Sequence, residues 1–258
     1  MSVLSFMRSA LLLAALAAPA CAADTAAPGA TFTTNLSAVS QYVSRGFRQT
    51  WGKPALQGGA DYLHPSGWSA GVWMSTVSNR FVEDASLEVD WYGGYAGTAG
   101  ALGYSALLYY YVYPGAQINA TATSYNYGEL ALGMSYKAGY VKYNYTVTRD
   151  FFGITDARGT GYLDAGANLD LGAATLNLHV GQGRVAGAGN AVWNWRDYKI
   201  GLTKTLAGGW SVSGAYTRAR GATDIYDAYT LGIPNSAGQV ETSNPSVGTL
   251  VLGVTRTF

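Results

Sequence analysis

The chain has 258 residues, 48% of them apolar, and carries 16 basic against 15 acidic side chains. That balance leaves no basic excess or stripe for a nucleic-acid partner. After the first twenty residues no run reaches the ~18 consecutive apolar residues of a membrane helix. Glycine (34) and tyrosine (20) are abundant and proline (7) is scarce, a composition of strands and turns, not helices.

Residues 1–22 read as an export signal: Arg8 is the basic start, Ala10 to Ala18 the apolar run, and Ala20-Cys21-Ala22 the small-residue cleavage site. A lipoprotein reading with an acylated Cys21 is the weaker alternative, because Ala18-Pro19-Ala20 lacks the usual leucine three residues upstream. Cutting after Ala22 removes the single cysteine, and removing Arg8 leaves 15 basic against 15 acidic residues. With no disulfide, an exported β-protein must be held together another way, such as hydrogen-bonded closure. Residues 23–34 are expected to be a flexible periplasmic leader, and 35–258 a single barrel domain.

From Asn35 onward about twelve segments alternate apolar and polar side chains. The first, Asn35–Val43, is weakly patterned and runs into a loop with Arg45, Phe47 and Trp51. Ala55–Leu63 and Trp68–Val77 follow, joined by the short turn His64-Pro65-Ser66-Gly67. A long hairpin, Ala85–Tyr113, sets Leu87, Val89 and Trp91 against Glu88, Asp90 and Tyr92, and turns at Gly97–Gly100. Tyr125–Tyr136 and Tyr140–Thr148 form the next pair, then Gly161–Asp170 with Thr175–Gly183. Trp195–Lys204 pairs with Trp210–Thr217, a long loop spans Arg218 to Ser246, and Val247–Phe258 is the last strand.

Arms of about ten residues exceed the usual five or six of a strand and match the 9–11 that a tilted strand needs to cross a bilayer. A soluble sandwich can also hold a long alternating hairpin. The connections decide, because they alternate long and short throughout. That is the signature of an outer-membrane barrel with short periplasmic turns and longer external loops. The fold predicted is therefore all-β, a closed antiparallel up-and-down transmembrane barrel of about twelve strands. Tyr62, Trp68, Tyr95, Tyr136, Trp210 and Phe258 lie beside the short turns on the apolar parity, as an interfacial girdle would.

The block Ser40-Gln41-Tyr42, Arg45-Gly46, Gly52 to Gly59, Asp61-Tyr62, Ser66-Gly67-Trp68, Ala70-Gly71, Trp73 and Ser75 resembles the TorF-type family of proteobacterial outer-membrane porins, also known as Gcw_chp. Glu88, Asp90, Tyr92 and Gly94-Tyr95 look like a second shared motif, and Phe258 like the C-terminal aromatic of outer-membrane barrels. The resemblance is sharp over 40–95 and general afterwards. It implies an outer-membrane location and a porin-like role, and carries over no substrate or functional residue.

If the apolar parity meets lipid, the opposite parity lines a lumen. Its mid-strand acids are Asp61, Glu88, Asp90, Glu129, Asp164 and Asp197, and its bases are Lys142 and Lys199, joined by His179 at low pH. Six carboxylates against two lysines would favour cations. The alternative is that these groups pair across the lumen and fill a narrow barrel. Phe47, Trp51 and the loop 218–246 are candidates to fold inward and constrict it. Arg149, Arg184, Arg196 and Arg218 fall on or near the outward parity at external strand ends, where they would meet lipopolysaccharide phosphates or stand as solvated loop charges.

Catalytic and cofactor readings find little support. A zinc site needs three or four convergent ligands, and His64 and His179 lie on different strands. No Gly-x-Ser-x-Gly elbow or phosphate-cradling loop occurs in its required context, and a His179 pair with Ser211 or Ser213 would point inward, away from lipid substrates. No cofactor or metal is expected; the partners expected are outer-membrane lipid and small polar solutes. Two roles stand: a passive channel, or a non-conducting structural or adhesive barrel that binds a partner through its external loops.

Overall fold

The computed structural model describes residues 29–258. The expected export signal and the first part of the expected leader lie outside the described residues. Twelve strands run in chain order: β1 Thr31–Val39, β2 Ala55–Leu63, β3 Trp68–Thr76, β4 Leu87–Ala99, β5 Leu102–Val112, β6 Tyr127–Tyr136, β7 Gly139–Thr146, β8 Gly161–Asp170, β9 Thr175–Arg184, β10 Trp195–Thr205, β11 Trp210–Gly221 and β12 Thr249–Thr257. Each pairs antiparallel with its chain neighbours, and β1 pairs with β12, so the sheet closes on itself. Closure leaves no row of unpaired amides, the condition for strands to sit in hydrocarbon. Among the described residues no helix is long and apolar enough to span a membrane, which says nothing of strands.

The two faces invert a soluble core. Trp68 and Trp91 on the outward parity are 60% and 57% exposed, whereas Glu129 and Asp164 on the inward parity are each 0% exposed. Charged side chains are almost never fully buried unless paired, and these are, as described below. The girdle near the short turns contains Tyr62, Trp68, Tyr136, Trp210 and Phe258, all exposed, with Tyr95 packed edge-on against Trp68 at 5.5 Å. Arg256 lays its guanidinium over Trp210 and Phe258, 5.6 and 5.1 Å from their ring centroids.

Several strand ends differ from the sequence expectation. β1 begins at Thr31, inside the expected leader, because Thr31–Thr34 pair with Leu63–Ala60 of β2. Phe32, 66% exposed, adds a further ring to the girdle there. β1 stops at Val39, and the chain then turns into the lumen. β4 and β5 continue to Ala99 and Leu102, which face each other, so the turn is tighter than Gly97–Gly100. β11 continues to Gly221 because Arg218 and Arg220 still pair with Tyr198 and Arg196. Charge hid those residues from a reading based on apolar alternation, although at the headgroup level a charge is compatible with a strand. At the seam Phe258 donates its amide to the Thr34 carbonyl at 2.8 Å and accepts from the Thr34 amide at 3.3 Å.

Candidate functional site in the lumen

The lumen is divided by the first external loop. After β1 the chain forms a short hairpin, Val43–Ser44 against Phe47–Arg48, whose tip is Arg45-Gly46. Both tip residues have positive φ, 47° and 83°, the requirement of the tight turn that suits a two-residue hairpin. The left-handed conformation costs Arg45 about 1–2 kcal/mol; Gly46 adopts it freely. A Cβ on Gly46 would stand 2.6 Å from the Cβ atoms of Ala219 and Asp197, so the tip rests directly on the β10–β11 wall. The hairpin is held from behind by the Arg48 amide on the Pro245 carbonyl at 2.9 Å, and by the Arg48 guanidinium on the Asn244 carbonyl at 2.7 Å.

From that tip Arg45 spans the lumen to β6. Its Nη1 and Nη2 donate to the two oxygens of Glu129 at 2.9 and 2.5 Å, the bidentate fork that makes arginine–carboxylate pairs strong and directional. Tyr111 adds a third donor to Glu129 at 3.2 Å, and the guanidinium lies 4.5 Å from the Tyr162 ring centroid. Burial disfavours the Arg45 charge, but Glu129 outweighs it and the guanidinium is held more firmly cationic than usual. Arg45 is a luminal base that strand parity cannot find, because it arrives from a loop.

Below this bridge lies a polar cavity of about 160 Å³. All nine inward charges named from the sequence lie on inward strand faces, and Asp61, Asp90, Lys142, Asp164, His179, Asp197 and Lys199 line this cavity. Glu88 and Glu129 sit at its upper margin, where Glu88 accepts from the Tyr113 hydroxyl at 2.7 Å. His179 is clamped: its Nδ1 faces Asp164 at 2.8 Å and its Nε2 faces Asp197 at 2.6 Å. Tyr162 donates to Asp197 at 3.0 Å, Lys142 stands 3.9 Å from Asp164, and Tyr92 donates to Asp61 at 2.6 Å. With both ring nitrogens engaged by carboxylates, His179 has none left for Ser211 or Ser213. Among the described residues no group of His, Cys, Asp or Glu is arranged to hold a metal.

Above the bridge the character changes. A cavity of about 300 Å³ opens toward the external side, and each of the six long loops contributes an aromatic ring to its wall: Phe47, Phe81, Tyr125, Phe152, Trp193 and Tyr229 in chain order. Neighbouring rings are in contact, with Phe47–Tyr226 at 4.7 Å, Phe81–Tyr229 at 5.4 Å, Tyr125–Phe152 at 5.3 Å and Trp193–Tyr226 at 5.7 Å. Such edge and tilted pairs add about 0.5–1.5 kcal/mol beyond burial. Burial pushes the phenols of Tyr125, Tyr226 and Tyr229 up, so they remain neutral. Trp51 packs on Tyr229 at 6.3 Å from outside this belt.

Four arginines mark the outer wall at the same end. Arg184, Arg196 and Arg218 occupy outward positions on β9, β10 and β11, joined by Arg220, which lies directly opposite Arg196 in the ladder. Arg149 lies beyond the end of β7, paired with Asp156 at 2.9 Å.

Comparison with known proteins agrees with this architecture. A family model described as "Bacterial protein of unknown function (Gcw_chp)" matches residues 23–258. No curated protein matches. Among solved structures the chain is similar to the KdgM porin (8% identity, TM-score 0.53, covering 88% of this chain and 99% of that one). It is also similar to the NanC porin (11%, 0.53, 86% and 98%) and to a mutant of the TodX monoaromatic hydrocarbon channel (11%, 0.51, 90% and 91%). At such identities the likeness is one of fold alone: a closed antiparallel β-barrel.

Proposed function

The chain is a member of the Gcw_chp family, and we propose that it forms a narrow outer-membrane channel for passive passage of small polar or charged solutes. The observation that carries this reading is the Arg45–Glu129 bridge, a loop residue reaching across the lumen to separate two cavities that each have solute dimensions. A barrel that needed only to fill its interior could do so from its own strands; about eight strands are enough for that, and this one has twelve. Planar-bilayer recording tests it. The wild-type barrel gives small openings, and Arg45→Ala, which removes the bridge, gives openings several-fold larger. Silence from both would overturn the channel.

Cation preference follows from the luminal charge. Six carboxylates face Arg45, Lys142 and Lys199, with His179 between two of the acids. Reversal potentials in a salt gradient should favour potassium over chloride, and chloride preference would refute this. The competing role, a non-conducting adhesive barrel, is favoured by one observation: the lower cavity is small and most of its carboxylates already have internal partners.

The outer arginines fit the same placement. Like charges directly opposite in a ladder repel, so Arg196 and Arg220 call for a shared anion, and lipopolysaccharide phosphates suit the guanidinium fork. Arg184 and Arg218 flank them, while Arg149 is engaged within its own loop. Export by a cleaved signal would deliver the chain to this membrane.

A further inference from the structure

The aromatic chamber above the bridge is poorly suited to the polar solutes that the lower half would admit. We propose that it is a binding site for a small aromatic solute bearing one uncharged hydrogen-bonding group, the phenol class. This deepens the channel reading by naming what is captured at its outer end, and rests on that reading only for the solute's later passage.

Two independent observations point to a ligand. The first is the space itself. Six loops with no shared strand converge their rings, yet leave about 300 Å³ open between them. Protein interiors pack as tightly as organic crystals, with few voids larger than a water, so rings gathered merely to cap the barrel would close on one another. The volume reaches the range of small-molecule sites, about 300–1,000 Å³, which are lined mainly by apolar and aromatic groups with a few polar ones.

The second is a set of unmatched polar atoms in that wall. Gln49 and Trp195 line the chamber and are each 5% exposed. The Gln49 Oε1 acceptor, the Trp195 Nε1 donor and the hydroxyl of Tyr125, which also lines the chamber, have no hydrogen-bond partner within the protein. Buried polar atoms are paired in the great majority of cases, and an unpaired one asks for an absent partner. An orphan acceptor, an orphan donor and a phenolic hydroxyl able to act as either suit a ligand hydroxyl, which gives one hydrogen bond and receives others. The floor excludes a strong charge preference, since the Arg45 guanidinium is already neutralised by Glu129. A sugar would need many more polar partners around its edge than this wall supplies.

Isothermal titration calorimetry on the purified full barrel in detergent tests the assignment, with phenol as the probe and glucose as the polar comparator. Two loop variants separate binding from partition into micelles: Phe152→Ala removes a wall, and Ile154→Trp fills the space. Retention of heat-modifiable migration on gels verifies that each variant forms a barrel. The expected result is a saturable heat for phenol, weakened at least tenfold in both variants, and none for glucose. A phenol heat that does not saturate, that persists in both variants, or that glucose equals would overturn the site. Bilayer conductance reads the channel separately, so a silent barrel that still binds phenol loses only the passage, and a conducting barrel that does not bind it loses only the site.

Discussion

The two halves of the lumen are built by different means. The inner half is made by strands: its strand charges all lie on the inward parity, and each is fixed by the ladder on both sides. The outer half is made by loops: its rings come from six connections with no common period, brought together only once the barrel closes. Apart from Arg45, the charge sits on ladder-bonded strands, and most of the apolar surface sits on the connections between them. Ion selection needs groups held at close range, whereas capture of a ring tolerates movement of the walls around it. Arg45 and Tyr127 border both halves, so the junction between them is a single layer.

The strongest way to break this division is at the bridge. Glu129→Ala leaves Arg45 buried without its partner, and such breakage costs about 3–5 kcal/mol. The expected outcome is a clear fall in the denaturant midpoint of the detergent-folded barrel. The double replacement Arg45→Met with Glu129→Leu removes both charges and should recover most of that loss, since a buried pair replaced by apolar groups is close to neutral.

A gentler blow falls on the joint alone. Gly46→Val adds side-chain atoms where a Cβ already meets Ala219 and Asp197 at 2.6 Å, at a positive φ that valine resists. The hairpin tip should unseat while the ladder stays intact. Larger bilayer openings with an unchanged unfolding midpoint would sharpen the picture, and a lowered midpoint would mean that the tip is a structural support of the wall.

The smallest expected effect lies outside both halves. Arg220→Ala relieves its repulsion with Arg196, a gain of about 0.2–1 kcal/mol in phosphate-free detergent. In lipopolysaccharide-containing bilayers the sign should reverse, because a phosphate contact is lost. Equal effects in the two media would remove the lipid-contact role from the outer arginines.

This division also explains what could be read from the chain. Parity alone puts Asp164, His179 and Asp197 on one inward face, because neighbouring residues on a strand point to opposite sides. Their clamp geometry depends on cross-strand register, and no single strand contains that. Arg45 and the rings of Phe81, Phe152, Trp193 and Tyr229 lie in connections where parity has no meaning, so their convergence is a product of closure. One signal was present all the same. Every long connection carries an aromatic residue, although loops are usually polar, and that recurrence is the chamber's trace in the sequence. Of the three candidates to fold inward, Phe47 and the 218–246 loop supply rings to the chamber, Phe47 and then Tyr226 and Tyr229, whereas Trp51 does not line it.

The seam between β1 and β12 joins residues as far apart as Asn35 and Thr257. Contacts so distant in sequence recover the entropy of chain closure late. Insertion into the bilayer is therefore expected to finish there, with all twelve strands already registered against their chain neighbours and the free edges of β1 and β12 waiting to meet. A weakened stitch at Thr34 and Phe258 would then slow maturation of the barrel and leave the finished lumen unchanged.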